Sequence, residues 1–279
     1  PNTGIVLPLP VLSAENQDKG RVLMTNNTGS SEKVLLRMEN IEKTFPGVKA
    51  LDKVNLTVRA GTVHALMGEN GAGKSTLMKC LFGVYNKDGG NIYLDGREVN
   101  FANSKEALEN GVAMVHQELN QALKRNVMDN MWLGRFPQVS KFVPFTSEKK
   151  MYDETMKVFK DLDINVDPKT VMSTMSVSQR QMVEIAKALS VECRLLIMDE
   201  PTRGIDVGAK VEVYNVMNSL VKQGKCVIMV SSEMPEILGM SDRVIVMRGG
   251  EVMATVDRDS EHFNQEDLMK AAWGGKLDD

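Results

Sequence analysis

The sequence predicts an α/β fold with a central parallel sheet, and three observations support this class. Short apolar segments of strand length recur at residues 63–67, 195–198, 226–230 and 244–247. Segments with helical periodicity lie between most of them, and strands that alternate with helices assemble into parallel sheets. The glycine-rich segment at residues 68–73 joins the first of these strands to a helix, as in many α/β folds.

The segments beside this core differ in their predicted secondary structure. Residues 35–41, 54–58 and 92–94 have strand character, and Asp88-Gly89-Gly90 is a turn sequence before the third of them. This region is therefore expected to consist of short strands joined by turns. From about residue 104 to residue 190 helical periodicity dominates, which predicts a mostly helical region.

The composition is that of a globular protein. Hydrophobic residues make up 42% and charged residues 25% of the 279 residues. The net charge of −3 gives no basic character and argues against a nucleic-acid partner. No segment approaches the roughly 18 apolar residues of a transmembrane helix. Cys80, Cys193 and Cys226 lie in apolar segments without metal-ligand spacing, so they are predicted to be buried, reduced thiols.

A phosphate-binding loop is the most specific feature of the sequence. The pattern G-x-x-x-x-G-K-[ST] is formed by Gly68, Glu69, Asn70, Gly71, Ala72, Gly73, Lys74 and Ser75, followed by Thr76. Glycines let backbone N–H groups surround a phosphate, and the N-terminus of the helix that follows adds positive potential. Lys74 is expected to reach the β- and γ-phosphates of a nucleotide, and Ser75 to bind Mg²⁺. The alternative is a glycine-rich turn before a helix.

Two carboxylates follow the apolar segment at residues 195–198. Asp199 at the carboxyl end of a buried strand can hold Mg²⁺ beside the phosphates, and Glu200 can then polarise an attacking water. The alternative is a carboxylate pair that caps the next helix. The phosphate loop upstream favours the nucleotide site.

Gln117 and Phe45 are further candidates for this site. Gln117 follows an apolar segment, and its neutral amide could contact Mg²⁺ and the water. Phe45 precedes a Pro-Gly turn and could stack on the face of a base. A plain core aromatic is the alternative for Phe45.

With these residues in order, the chain resembles the ATP-binding cassette (ABC) ATPases, the motor subunits of membrane transporters. The resemblance covers residues 32–257. It implies a P-loop NTPase core with an antiparallel β subdomain and an α-helical subdomain. It also implies the following roles: Phe45 as the adenine-stacking aromatic, Gln117 as the Q-loop, Ser176 to Gln179 as the ATP-contacting signature, Asp199 as the Walker B residue, Glu200 as the catalytic glutamate and Asp206 as the D-loop.

Within that family the chain looks like the ATPase subunit of bacterial monosaccharide importers of the galactose/methyl galactoside type. Residues 45–51, 114–120 and 126–134 carry this likeness. It implies ATP and Mg²⁺ as ligands and transmembrane permease subunits as partners, with a periplasmic sugar-binding protein reached through them. A second cassette is expected to complete a dimer, with Ser176 and Asp206 acting across it. The expected location is cytoplasmic, peripheral on the inner face of the cell membrane.

Three regions are expected along the chain. Residues 1–31 combine proline-interrupted apolar residues with a polar stretch, and they are predicted to be a disordered tail rather than a signal peptide. Residues 32–257 are the expected nucleotide-binding domain, with a helical subdomain at about residues 118–175 that the resemblance assigns to contact with the permease. Residues 258–279 are expected to form a C-terminal helical tail.

The chain departs from the family near Thr202. Before this residue it resembles the first cassette of two-cassette importer subunits, and from it onward the second, so residues 199–202 are the expected junction of a fusion. Ser232 stands where the family has its switch histidine, and a serine cannot hold the γ-phosphate in the same way. Val177 and Ser178 replace the two signature glycines.

These departures leave three functional interpretations. The first, which we expect, is ATP hydrolysis coupled to monosaccharide import, with impaired turnover. The second is a cassette that binds ATP and serves as a dimerising or regulatory module, which Ser232 and the altered signature favour. The third is an ABC protein that acts on nucleic acid or ribosomes. The acidic pI of about 5.8 and the importer-like residues 117–134 argue against the third.

Overall fold

A computed structural model of the chain describes residues 33–140 and 143–277, and the predicted tail at residues 1–31 lies outside them. The strands are β1 (Val34–Phe45), β2 (Val48–Arg59), β3 (Val63–Gly68), β4 (Gly89–Leu94), β5 (Arg97–Val99), β6 (Val112–Val115), β7 (Gln138–Ser140), β8 (Val143–Thr146), β9 (Leu195–Asp199), β10 (Cys226–Val230), β11 (Arg243–Arg248) and β12 (Glu251–Asp257). The α-helices are α1 (Lys74–Leu81), α2 (Ser104–Glu109), α3 (Val127–Met131), α4 (Glu148–Asp161), α5 (Val177–Leu189), α6 (Val207–Lys222), α7 (Met234–Met240) and α8 (Gln265–Ala272). A 3₁₀ helix spans Met172–Thr174.

The central sheet has the strand order β12-β11-β3-β10-β9-β6. Its strands are parallel except β12, which pairs antiparallel with β11 at the edge. The predicted α/β fold with a parallel sheet is therefore confirmed.

Both faces of this sheet are covered, which explains why its inner strands are apolar along most of their length. In β9, Leu195 and Ile197 belong to the hydrophobic cluster on one face, whereas Leu196 and Met198 belong to the cluster on the other. Alternate residues of a strand point to opposite faces, so a strand buried on both sides needs no polar alternation. Helix α1 contributes to the first cluster, and α5 and α6 contribute to the second.

The antiparallel subdomain has the strand order β2-β1-β4-β5. Strand β1 is longer than the predicted strand at residues 35–41, since it continues to Phe45. Asn40 has a φ of 49°, and the register with β2 shifts between Met38 and Ile41. The ladder resumes after this bulge, although the bulge breaks the alternation of apolar residues in the sequence.

The region from residue 104 to residue 190 contains helices, but strands interrupt it. Strand β6 belongs to the central sheet, and β7 and β8 form a two-stranded sheet of their own. The prediction of helices for residues 104–190 is therefore incomplete. Short apolar segments such as β6 cannot be distinguished from buried helices by their sequence pattern alone. Helices α3, α4 and α5 and the 3₁₀ helix share a separate hydrophobic cluster that includes Phe159.

Strands from before and after the expected junction at residues 199–202 interleave in the sheet. Strand β10 pairs with β3 on one side and with β9 on the other. Helix α8 packs against the same core through Leu268, Ala271 and Ala272. The part of the chain after Thr202 therefore completes the hydrophobic core that the earlier part begins.

Two predictions about individual features can be compared with the structure. The three cysteines are buried and free, as predicted. Among the described residues, no helix is both long enough and apolar enough to span a bilayer.

Candidate functional site

The predicted site residues follow parallel strands that end at one edge of the central sheet. The phosphate loop follows β3, Gln117 lies two residues after β6, Glu200 directly follows β9, and Ser232 lies two residues after β10. The carboxyl ends of parallel strands meet at one edge, where α/β proteins bind their ligands. Gln117 is exposed at this edge.

The phosphate loop is held against strand β2 by close backbone contact. Gly73 is the N-cap of α1 and adopts the left-handed conformation, with φ of 100° and ψ of −4°. A Cβ atom on Gly73 would lie 2.7 Å from the carbonyl oxygen of Ala50 in β2, so this position requires glycine. Glu69, Asn70 and Gly71 are exposed, and the loop therefore offers its outer part to a ligand.

The remaining loop residues anchor the loop to the core. Gly68 ends strand β3, Ala72 is buried, and Thr76 is half-buried on α1. The backbone N–H of Gly250, in the turn between β11 and β12, donates to the carbonyl oxygen of Ala72 at 3.1 Å. The phosphate loop therefore contacts β2 on one side and the turn between β11 and β12 on another.

Lys74 begins α1 and is only 7% exposed. Its Nζ donates to the carbonyl oxygens of Gly68 at 2.7 Å and Glu69 at 3.0 Å. Burial lowers the pKa of Lys74, whereas Glu200 and Asp199 nearby raise it. The ammonium group is thus held inside the loop by neutral acceptors, and an anionic ligand would compensate its charge better than they do.

Ser75 and Asp199 meet at the base of the loop. The hydroxyl of Ser75 donates to Oδ1 of Asp199 at 3.3 Å, and Asp199 is buried at the end of β9. Hydroxyl and carboxylate oxygens are the ligands that Mg²⁺ prefers. This pair of oxygens, one from a helix and one from a strand, therefore fits a magnesium site.

Glu200 and Ser232 face each other across the ends of β9 and β10. The hydroxyl of Ser232 donates to Oε2 of Glu200 at 3.2 Å, and the backbone N–H of Glu200 donates to the carbonyl oxygen of Val230 at 2.9 Å. Glu200 has a φ of 50°, in the left-handed region that side chains disfavour. Strain of this kind persists only where the surroundings enforce it, and it clusters at functional sites.

Phe45 lies at the end of β1 and is half-buried. Its ring meets the ring of Tyr85 edge-on, with centroids 5.3 Å apart and planes at 75°, and the Nζ of Lys43 lies 5.5 Å from its centroid. Sequence reasoning missed Tyr85 and Lys43, because only the fold brings them beside Phe45. An aromatic surface next to a cation suits a flat, electron-rich ligand.

The signature and D-loop residues form the N-terminal caps of two helices. At α5, the hydroxyl of Ser176 accepts from the backbone N–H of Gln179 at 3.1 Å, and Oε1 of Gln179 accepts from the backbone N–H of Ser176 at 3.1 Å. This is a capping box. At α6, Oδ1 of Asp206 accepts from the backbone N–H of Ala209 at 3.0 Å. Contact of these residues with ATP across a dimer stays a prediction.

Sequence reasoning also missed a buried polar cluster behind the loops that carry Glu200 and Ser232. Thr202, Ser231 and Glu236 are all less than 5% exposed. Burial raises the pKa of Glu236, although hydrogen bonds from Ser231 and Thr202 oppose this. No pattern marks this cluster, since a glutamate in the first turn of a helix normally predicts a solvent-exposed position.

The comparison with protein families decides the classification. The family model described as ABC transporter matches residues 51–203, more than half of the 279 residues. The chain belongs to the ABC transporter family. The matched region contains the phosphate loop, Gln117, the predicted signature and the Asp199–Glu200 pair.

The names of relatives within the ABC family agree with the predicted likeness. The galactose/methyl galactoside import ATP-binding protein MglA of Clostridium perfringens is 55% identical over 245 residues, which are 88% of this chain and 47% of that protein. The protein of the same name from Escherichia coli strain K12 is 51% identical over 233 residues, which are 84% of this chain and 46% of that protein. The predicted resemblance is confirmed, and the chain spans about half the length of these curated relatives.

Solved structures of ABC cassettes have the same fold. A nucleotide-free ATP-binding cassette from an ABC transporter superposes with a TM-score of 0.73 at 26% identity, over 85% of this chain and 94% of that one. A dimeric cassette in a post-hydrolysis state, bound to ADP and Pi, gives a TM-score of 0.70 at 21% identity, over 81% of this chain and 100% of that one, and supports the fold alone. The predicted ABC ATPase fold is confirmed.

Proposed function

We propose that this chain binds Mg-ATP and hydrolyses it as the ATPase subunit of a monosaccharide importer, such as one for galactose or methyl galactoside. The observation that supports ATP hydrolysis is the hydrogen bond between Ser75 and Asp199 beside the buried Lys74. This contact brings a helix N-terminus, a cation and a carboxylate together at the carboxyl ends of the strands. The names of the relatives support the importer part.

In this proposal the phosphates of ATP replace the loop carbonyl groups as partners of Lys74. The ammonium gives up its bonds to Gly68 and Glu69 and forms charge-assisted bonds to the β- and γ-phosphates. Exposed loop residues 69–71 lie beside these phosphates, and Phe45 stacks on the adenine.

The oxygens of Ser75, Asp199 and Gln117 would hold Mg²⁺, which neutralises the charge of the phosphates when bound. Glu200 would orient the attacking water by accepting a hydrogen bond from it. Ser232 donates to one carboxylate oxygen of Glu200 and leaves the other for this purpose. Ser176, Gln179 and Asp206 would act on the ATP of a partner cassette.

The proposed partners are permease subunits in the membrane, a periplasmic sugar-binding protein reached through them, and a second cassette. Residues 32–257 would be the nucleotide-binding domain, and the helices at about residues 118–175 would contact the permease. The chain would then lie at the cytoplasmic face of the cell membrane, attached through these partners.

A second candidate function is ATP binding with little turnover, in a dimerising or regulatory module. The observation that favours it is at α5, where the hydroxyl of Ser176 is hydrogen-bonded to that of Ser178, 2.8 Å away, and Val177 is exposed. Val177 and Ser178 occupy the two positions that are glycine in the family signature. Ser232 in place of a histidine favours the same function.

Titration with a non-hydrolysable ATP analogue in the presence of Mg²⁺ tests the nucleotide site. Lys74→Ala should weaken binding, since hydrogen bonds to charged groups contribute about 1.5–3 kcal/mol, or roughly 10- to 150-fold in Kd. Lys105→Ala removes the same charge from an exposed position on α2 and should leave the Kd unchanged. Equal Kd values for the parent and Lys74→Ala would contradict the proposed site.

Phosphate release with and without the permease separates the two functions. The chain would be co-purified with a monosaccharide permease in vesicles, and turnover measured in both states. Turnover that the permease and external sugar stimulate supports import. Tight analogue binding with no turnover in either state supports the binding module instead.

A further inference from the structure

Glu236 on α7 lies behind the two loops that carry Glu200 and Ser232. Its side chain is buried, and each of its carboxylate oxygens accepts a hydrogen bond from a hydroxyl group. Thr202 donates to Oε1 at 3.0 Å, and Ser231 donates to Oε2 at 2.5 Å. Thr202 belongs to the loop after β9 and Ser231 to the loop after β10, so this one carboxylate links the two loops.

Both hydroxyl groups lie close along the chain to residues of the proposed hydrolysis site. Thr202 is two residues after Glu200, and Ser231 directly precedes Ser232. At the site itself the same two loops are joined by the hydrogen bond between Ser232 and Glu200, 3.2 Å long. The hydroxyl of Ser231 also accepts from the backbone N–H of Glu233 at 3.1 Å. The loops are therefore joined twice, once at the site and once behind it.

Water has little access to the inner junction. Tyr214 on α6 is half-buried and contacts Thr202 and Glu236, and burial, followed by Glu236 and Glu233, raises its pKa to about 12. Thr202 and Ser231 are themselves 1% and 0% exposed. Solvent therefore cannot readily replace the hydrogen bonds of Glu236 if its carboxyl group is removed.

We propose that Glu236 is a positioning residue for ATP hydrolysis, which through Thr202 and Ser231 fixes the spacing of the two loops and so the orientation of Glu200 against Ser232. This inference rests on the proposed function of the site. Glu200 adopts the left-handed conformation at a φ of 50°, which its surroundings must enforce. The bonds of Glu236 supply that constraint from the inner side.

The consequence falls on the chemical step and not on binding. Nucleotide binding depends on the phosphate loop, which connects β3 to α1, and on Lys74 at the start of α1. Water orientation depends on Glu200, and a small displacement of an orienting group can lower the rate by up to about 100-fold. Loss of Glu236 should therefore lower kcat and leave the KM for ATP almost unchanged.

Asp242→Ala provides a matched control for a purely structural role. Asp242 is also a carboxylate whose pKa is raised by burial. Its Oδ2 accepts from the backbone N–H of Val63 at 2.8 Å, at the opposite end of β3 from the phosphate loop. The conservative variant Glu236→Gln retains the side-chain shape and can hydrogen-bond both hydroxyl groups, so it should restore most of the function.

The experiment compares the full chain with its Glu236→Ala, Glu236→Gln and Asp242→Ala variants. Steady-state phosphate release gives kcat and KM, and NMR amide exchange without nucleotide reports on the N–H groups of Glu200 and Glu233. In Glu236→Ala, kcat should fall by about 10- to 100-fold, the KM should stay within about twofold, and both amides should exchange faster. Glu236→Gln and Asp242→Ala should resemble the parent in kcat and in exchange at these amides.

The proposal is overturned if Glu236→Ala keeps the parent kcat and exchange, or if Asp242→Ala lowers kcat equally. A parent chain without phosphate release would refute the proposed function instead. The exchange rates then decide the linking role by themselves, since they need no turnover. If Glu236→Ala does not fold, Thr202→Val removes one of the two hydroxyl donors with little change of shape, and the same outcomes apply to it.

Discussion

Replacement of Gly73 by alanine should destabilise the chain through two separate effects. A non-glycine residue in the left-handed conformation costs about 1–2 kcal/mol. The new Cβ atom would also lie 2.7 Å from the carbonyl oxygen of Ala50 and 3.0 Å from Cδ2 of Leu51, so β2 or the loop must move. Overpacking of this kind costs about 1–3 kcal/mol. The expected loss for Gly73→Ala is therefore about 2–5 kcal/mol.

Gly71→Ala is the matched control for the packing effect. Gly71 has a φ of 84°, but a Cβ atom there would have no heavy atom within 4 Å. It should therefore show only the conformational cost of about 1–2 kcal/mol. Both changes remove one glycine from the unfolded chain, so that effect cancels between them.

Thermal unfolding without nucleotide measures the difference between the two variants. At about 2–4 °C per kcal/mol for a chain of this size, Gly73→Ala should melt about 2–12 °C below Gly71→Ala. Equal melting temperatures would show that the loop does not pack on β2 as described, and the argument that Gly73 requires glycine would then be wrong.

Two further predictions concern a site residue and a buried histidine. Ser232→His should raise the rate of phosphate release, because a lost stabilising group often costs on the order of 10²–10³ in rate. Val177→Gly with Ser178→Gly should raise the rate further. If the parent is already fast and Ser232→His slows it, Ser232 does not stand in the place of the switch histidine. His64 is fully buried, its Nε2 accepts from the backbone N–H of Arg59, and burial lowers its pKa to about 3. Since the unfolded chain binds a proton on His64 below about pH 6.5 and the folded chain does not, stability rises with pH between about 3 and 6.5, by about 2 kcal/mol from pH 5 to pH 7. His64→Gln should remove this contribution, so the difference in melting temperature between pH 5 and pH 7 should shrink, and an unchanged difference would refute it.

The sequence was most informative where function depends on contiguous residues. The phosphate loop is recognisable because its glycines, Lys74 and Ser75 lie within nine consecutive residues, and their spacing along the chain is what the loop requires. The buried strands are recognisable because parallel sheets covered on both faces require unbroken apolar segments. Asp199 and Glu200 were identified by their place at the end of such a strand, and β9 ends at Asp199.

The sequence was least informative where a short or irregular element interrupts a pattern. Strand β6 has only four residues, all buried, and it lies between helical segments, so its alternation cannot be seen. The extension of β1 beyond the bulge at Asn40 was missed for a similar reason. In both cases tertiary pairing, and not local preference, determines the element.

The sequence by itself determined the family, the fold class, the phosphate loop and the acidic strand end, because each depends on residues close together in the chain. Only the tertiary structure decided that β10 lies between β3 and β9, that Tyr85 meets Phe45, and that Ser232 contacts Glu200. The link from Glu236 to Thr202 also spans 34 positions of the chain. Such contacts join side chains from distant segments, and each polar side chain has many possible partners until the packing of the sheet and helices selects one.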